Sequence, residues 1–334
     1  MGLKKALAVL GGVCVGLICA VLLVEAGLRI YKYALVNKNL RPLPKADHSR
    51  VILSLGESTT YGFLVPPDKN YSRLLERDLN SAYPGAGFRV LNLGYPAAIS
   101  GDIRALCDSA LAVYQPMAVL ACLGDNDMGF TVNYKLRGLC LPKPASSHPF
   151  SLDPKGVAPA TDGGFLLWKV IKAHHQGKIY DWTSQEKDMG GHWTMVIDRE
   201  KNPRYYYYNL GPNAPGGPIG WLESEKKAIF SNLEKNILAM NEKCARQKIP
   251  FILVGYMASE INDYLKKWAG EHGIPYVNNE VGDWSVYEKL VIQKGMLGRK
   301  DMFHPNAAGH AYMEANILKK LEQTGCLPRP GQAP

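Results

Sequence analysis

Three residues that could together handle a proton stand far apart in this chain. Ser58 lies in VILSLGESTTYG (Val51–Gly62), at the end of an apolar run and between two glycines. A serine hydroxyl is a weak nucleophile at neutral pH and needs a neighbouring base to take its proton. Of the eight histidines only His304, in DMFHPN, follows an acid by three positions. An aspartate at that spacing in a turn can accept from the imidazole Nδ1–H and steady the imidazolium, leaving the other nitrogen for the serine proton. Asp301 is therefore the candidate orienting acid. Both motifs also have a reading without chemistry. Ser58 could merely terminate a strand or cap a helix, and Asn306 makes DMFHPN a capped helix start.

Acyl chemistry also needs donors for an oxyanion. LGDND (Leu123–Asp127) follows an apolar run directly and puts the Asn126 amide where a strand ends. An Asx turn is the plain alternative. LNLGYPAAISGD (Leu91–Asp102) supplies a glycine-containing turn with backbone N–H groups, again at the end of a strand-like run.

These pieces need a scaffold, and the pattern supplies one. Strands are expected at Val51–Leu55, 88–94, 117–124, 250–256 and 275–279. Helices are expected at 71–83, 102–114, 223–248, 259–273 and about 306–322. Such alternation predicts an α/β fold with an open parallel sheet covered on both faces, and chemistry then sits at the carboxyl ends of the strands. Residues 130–221 break the pattern with Gly-Pro turns, RYYYYNLGPNAPGGPIGW and four tryptophans. A weakly periodic segment this long is expected to be a lid or substrate wall within the domain at 51–325.

The charge is uneven. The whole chain carries +9, but residues 1–50 hold eight Lys or Arg against two acids, leaving 31 against 28 for the rest. A nucleic-acid binder would carry its basic surplus on the folded domain, so no nucleic-acid partner is expected. Ala6–Val24 has no charged residue and is long enough to span a bilayer as a helix. We read 1–37 as an uncleaved membrane anchor, 38–50 as a linker and 326–334 as a tail. The flanking charges, Lys4 and Lys5 before the run and Arg29, Lys32, Lys38 and Arg41 after it, pull the orientation both ways. Five cysteines outside the span, with no CxxC spacing, suggest neither a disulfide framework nor a zinc site. His174, His175 and His192 lack a matched third ligand, and neither metal nor cofactor is expected. GxSxG, HExxH and a Gly-rich phosphate loop are all missing from the sequence.

Taken together, GESTTYG, NLGYPAAISGD, GDND and DMFHP resemble, in order, the four blocks of the SGNH/GDSL hydrolases, and the anchor followed by Glu25 and Arg29 resembles membrane-tethered members. The resemblance implies a flavodoxin-like three-layer α/β/α fold and ester hydrolysis, with O-acetylated saccharides or lipid esters as the substrate classes to expect. It also implies Ser58 as nucleophile, His304 as base and Asp301 as orienter, with a domain outside the cytoplasm. The oxyanion donors it implies are the Ser58 backbone N–H and Asn126. Two positions depart from the pattern. Glu57 stands where the family has Asp, and the usual oxyanion glycine falls on Ala97, with Gly94 or Gly101 as substitutes. An acyltransferase on the same triad, or a binding domain for glycan or lipid, remains open on the sequence.

Overall fold

The structure, a computed structural model, describes residues 2–36, 50–96, 98–128, 150–153, 156–159, 167, 193–197, 205–209, 223–295 and 300–327. In chain order a long helix α1 (Leu3–Val36) precedes β1 (Arg50–Gly56), the one-turn α2 (Ser58–Tyr61), α3 (Tyr71–Ala82), β2 (Phe88–Gly94), α4 (Ser100–Val113) and β3 (Ala118–Cys122). Two hairpins follow, β4 (Phe150–Asp153) with β5 (Gly156–Pro159) and β6 (Trp193–Ile197) with β7 (Tyr205–Asn209). The chain continues through α5 (Glu223–Arg246), β8 (Phe251–Val254), α6 (Ile261–Glu271) and β9 (Tyr276–Val277). It closes with α7 (Trp284–Leu290), β10 (Gln293–Lys294), β11 (Lys300–Asp301) and α8 (Ala307–Gln323).

Five strands form one parallel sheet in the order β2-β1-β3-β8-β9. β1 is apolar apart from Arg50 at its start and Ser54, because it is covered on both faces; Val51 to Gly56 are all buried. α4 packs against α5, and α8 packs against both α3 and α7. Right-handed crossovers put α3 and α4 on opposite faces, since the chain moves one way from β1 to β2 and back from β2 to β3. The result is three layers, α/β/α, as expected. α5 presents Leu233, Ile237, Met240 and Cys244 as one buried stripe, spaced four, three and four residues apart. Cys107 and Cys122 are also buried and fill space as small apolar side chains.

The topology fixes where a site can form. From β1 the chain turns to one side of the sheet, and from β3 it proceeds to the other, leaving a crevice at their carboxyl ends. The register makes that edge level: Gly56 of β1 pairs with Gly94 of β2 and Cys122 of β3. The three loops carrying the sequence blocks therefore start from one height.

α1 contains an apolar stretch, Val9–Tyr31, of mean hydropathy 2.5, long enough to cross a membrane. Most of residues 130–221, and with them the lid reading, lie outside the described residues, as do the linker at 38–49 and His174, His175, His192 and Cys140.

Candidate active site

β1 delivers Ser58. After Gly56 and Glu57 the chain folds directly into α2, with Ser58 as its first residue. The approach is tight enough to require glycine. A Cβ on Gly56 would lie 2.1 Å from Thr60 Oγ1 and 2.5 Å from the Cys122 carbonyl oxygen, and one on Gly94 would lie 2.1 Å from the Tyr61 backbone nitrogen. With both side chains missing, α2 settles onto the strand ends. Polar groups beneath hold it there. Asn92 Nδ2 and Asn70 Nδ2 donate to the Thr60 carbonyl oxygen at 2.6 and 2.9 Å, and the Tyr71 hydroxyl donates to Thr60 Oγ1 at 2.9 Å.

The other end of the chain brings the imidazole. β11 ends at Asp301, whose Oδ1 accepts the backbone N–H groups of Phe303 at 2.9 Å and His304 at 2.8 Å. Its second oxygen lies 2.9 Å from His304 Nδ1, and His304 Nε2 lies 2.9 Å from Ser58 Oγ. Asn306 meanwhile caps α8, accepting from Ala308 and Gly309. Asn306 thus caps the helix in the same turn that sets Asp301 against His304, so the capping reading of DMFHPN does not exclude the proton-relay reading. Burial pushes the Asp301 carboxyl up, but the hydrogen bonds from His304 and Phe303 outweigh it and hold the group below its usual range. A carboxylate that stays ionised favours the tautomer with the proton on Nδ1, which frees Nε2 to accept from Ser58 Oγ–H. The Phe63 ring tilts against the imidazole with centroids 4.8 Å apart. His304 keeps 22% of its side chain exposed against 12% for Asp301, so the imidazole can be reached from outside while the carboxylate is more shielded.

The Glu57 side chain joins the first block to the third. Its Oε1 accepts the Gly124 N–H at 2.8 Å, and the Asn126 N–H lies 3.3 and 3.2 Å from Oε1 and Oε2. Burial, then the charges of Asp125 and Asp127, push this carboxyl well above its ordinary value, against the pull of the Gly124 amide. The brace holds the turn after β3 beside Ser58. There residues 125–128 form one helical turn. Asn126 Nδ2 donates to the Ala98 carbonyl oxygen at 2.9 Å, and a carboxamide has a second N–H to offer an oxyanion. Asp127 fixes the start of α4 by accepting from the Ser100 N–H at 2.8 Å and the Ser100 hydroxyl at 2.5 Å. Its carboxyl is pushed up to about 6, chiefly by burial.

Gly94 corrects an expectation. Its N–H donates to Asn92 Oδ1 at 2.9 Å and so is already engaged. The glycine is there for the close approach of α2, not as an oxyanion donor. Gly101 lies inside the first turn of α4, and Ala97 lies outside the described residues. The Ser58 N–H has no acceptor among the described residues. Sequence reasoning missed the roles of Glu57 and Asp127 as braces. Their signal was an acid next to each candidate, Glu57 before Ser58 and Asp127 after Asn126.

No family model matches the chain, and no curated protein sequence matches it. Solved structures of similar architecture include the lipase/acylhydrolase from Enterococcus faecalis, 13% identical, covering 85% of this chain and 100% of that one, with a TM-score of 0.43. Another is a catalytic mutant of an acetylxylan esterase from Geobacillus stearothermophilus, 13% identical over 84% of this chain and 96% of that one, TM-score 0.42. A third is a GDSL-like lipase from Bacteroides thetaiotaomicron, 15% identical over 88% of this chain and 97% of that one, TM-score 0.37.

Proposed function

We propose that this chain is a serine esterase that hydrolyses carboxylic esters through a covalent acyl-enzyme, and that α1 tethers it to a membrane with the catalytic domain outside the cytoplasm. The observation that carries the reading is the unbroken relay from Asp301 through His304 to Ser58, 2.9 Å at each link. Ser58 Oγ adds to the ester carbonyl carbon while its proton passes to His304 Nε2. The carbonyl oxygen becomes an oxyanion, received by the Ser58 N–H and the free N–H of the Asn126 amide. Collapse breaks the carbon–oxygen bond to the alcohol, which takes the proton back from His304. Water repeats the sequence on the acyl-serine: His304 accepts its proton, the hydroxyl adds to the carbonyl, and the acid leaves as Ser58 recovers its hydrogen. Asp301 stays ionised throughout and steadies the imidazolium.

The test is labelling of the full chain in detergent with a fluorophosphonate, followed by mass mapping, alongside hydrolysis of a short p-nitrophenyl ester. The label is expected on Ser58, and Ser58→Ala is expected to lower the rate at least about a thousandfold. A label on another residue, or equal rates in both proteins, would end the reading.

A further inference from the structure

One peptide unit in the acid–base turn is held at both ends. The N–H of Phe303 donates to Asp301 Oδ1 at 2.9 Å, and the carbonyl of the same peptide, on Met302, accepts from the Tyr287 hydroxyl. Tyr287 stands in the middle of α7 and is buried. Asp283 caps that helix, accepting from the Ser285 N–H at 2.7 Å and the Val286 N–H at 3.3 Å. Burial first, then the charges of Asp301 and Asp125, push the Tyr287 phenol well above its ordinary value, so it keeps its proton and stays a donor. The same helix grips the turn beyond His304. The Asn306 N–H donates to the Leu290 carbonyl at 2.9 Å, and Asn306 Nδ2 donates to the Lys289 carbonyl at 2.8 Å. Just after α7, β10 sets Gln293 opposite Asp301. The stretch from Asp301 to Asn306 is therefore fixed against residues 287–293.

The C=O and N–H of a trans peptide lie in one plane and turn together. Fixing the Met302 carbonyl therefore also fixes the direction of the Phe303 N–H. That keeps Asp301 Oδ1 on the backbone and leaves Oδ2 facing His304 Nδ1, 2.9 Å away. A hydrogen bond to the carbonyl also polarises the peptide and strengthens its N–H as a donor. We infer that Tyr287 is a positioning residue for the relay: acting through the Met302–Phe303 peptide, it sets the Asp301 carboxylate against the His304 imidazole. This rests on the esterase reading, in which that pair must receive the Ser58 proton.

The test compares the full chain in detergent with Tyr287→Phe, which keeps the ring and removes the donor. On a short p-nitrophenyl ester the variant is expected to lose about ten- to a hundredfold in kcat with KM within about twofold. p-Aminophenylalanine at position 287 restores a donor and is expected to recover most of the loss. Ile317→Val, a trimming of the α8 core, controls for general loosening and is expected to keep kcat within about twofold. No recovery in the first, or a fall in the second equal to that of Tyr287→Phe, would overturn the inference. Another readout needs no turnover. With isotope-labelled histidine, an Nδ1–H held against a carboxylate gives a proton signal far downfield. For His304 it is expected in the natural chain and is expected to move upfield or vanish in Tyr287→Phe. A signal missing from the natural chain or unmoved by the substitution, or an unchanged kcat, would overturn the inference. A signal that responds to the substitution, in a natural chain that neither hydrolyses the ester nor takes a fluorophosphonate at Ser58, would instead sink the esterase reading and leave the positioning role standing.

Discussion

Asn126 stands between two duties. One N–H of its side chain holds the Ala98 carbonyl, and its backbone N–H rests on Glu57. Only the remaining side-chain N–H is left for an oxyanion. If that group acts in the transition state, Asn126→Ala is expected to lower kcat about a hundred- to a thousandfold with KM nearly unchanged. Initial rates over a range of ester concentrations check this, with a melting curve to show that the variant folds. An unchanged kcat would leave Asn126 a purely structural role. At this scale the sequence made Ser58, His304 and Asp301 legible, because an acid three residues before a histidine leaves a local signature. Gly94 was misread for a physical reason. A glycine needed for a close backbone approach looks the same, in sequence, as one whose amide must face a ligand.

Among the elements, α8 carries an unusual burden against α3. Glu314 is 6% exposed, and its Oε1 has no hydrogen-bond partner among the described residues. Burial first, then Asp78 across the helix pair, push its carboxyl up to about 7, with Arg77 pulling the other way. The folded protein thus holds this proton more tightly than the unfolded chain does. Its stabilising contribution is full below about pH 4.5 and is lost as the pH rises through about 7. Glu314→Gln keeps the shape and removes the titration. The variant is expected to melt a few degrees above the natural protein at about pH 8 and to lose that advantage by about pH 5; calorimetry at the two pH values checks it. Most elements could be read in advance because the buried strands are continuous apolar runs and the helices show their stripes. α7 and the β10–β11 pair could not. Seven and two residues are too short for a periodic signal, and the β10–β11 pair is defined by cross-strand hydrogen bonding that no local pattern announces.

For the molecule as a whole, nearly all the large apolar side chains left exposed lie on α1, with Val113 and Val286 the exceptions among the described residues. An apolar helix this bare needs a non-aqueous partner. Full-length protein in a membrane fraction is expected to stay with the pellet after alkaline carbonate extraction, with a mass showing that residues 1–36 are retained. Release to the supernatant, or a mass lacking the segment, would point to a removable signal sequence. The parallel sheet was foreseeable from the alternation of elements. The fastening of α1 to the rest of the chain was not, because it depends on a hydrogen bond between residues 25 and 167, and no short-range pattern encodes such a pairing.

Ser58 and His304 are 246 positions apart yet share a hydrogen. On a ribosome the hydroxyl emerges long before the imidazole has been synthesised. Every copy not yet extended to His304 therefore holds the serine without its imidazole partner, and the pair forms only when the later elements close over the earlier ones. The order of synthesis alone keeps the two groups apart until then.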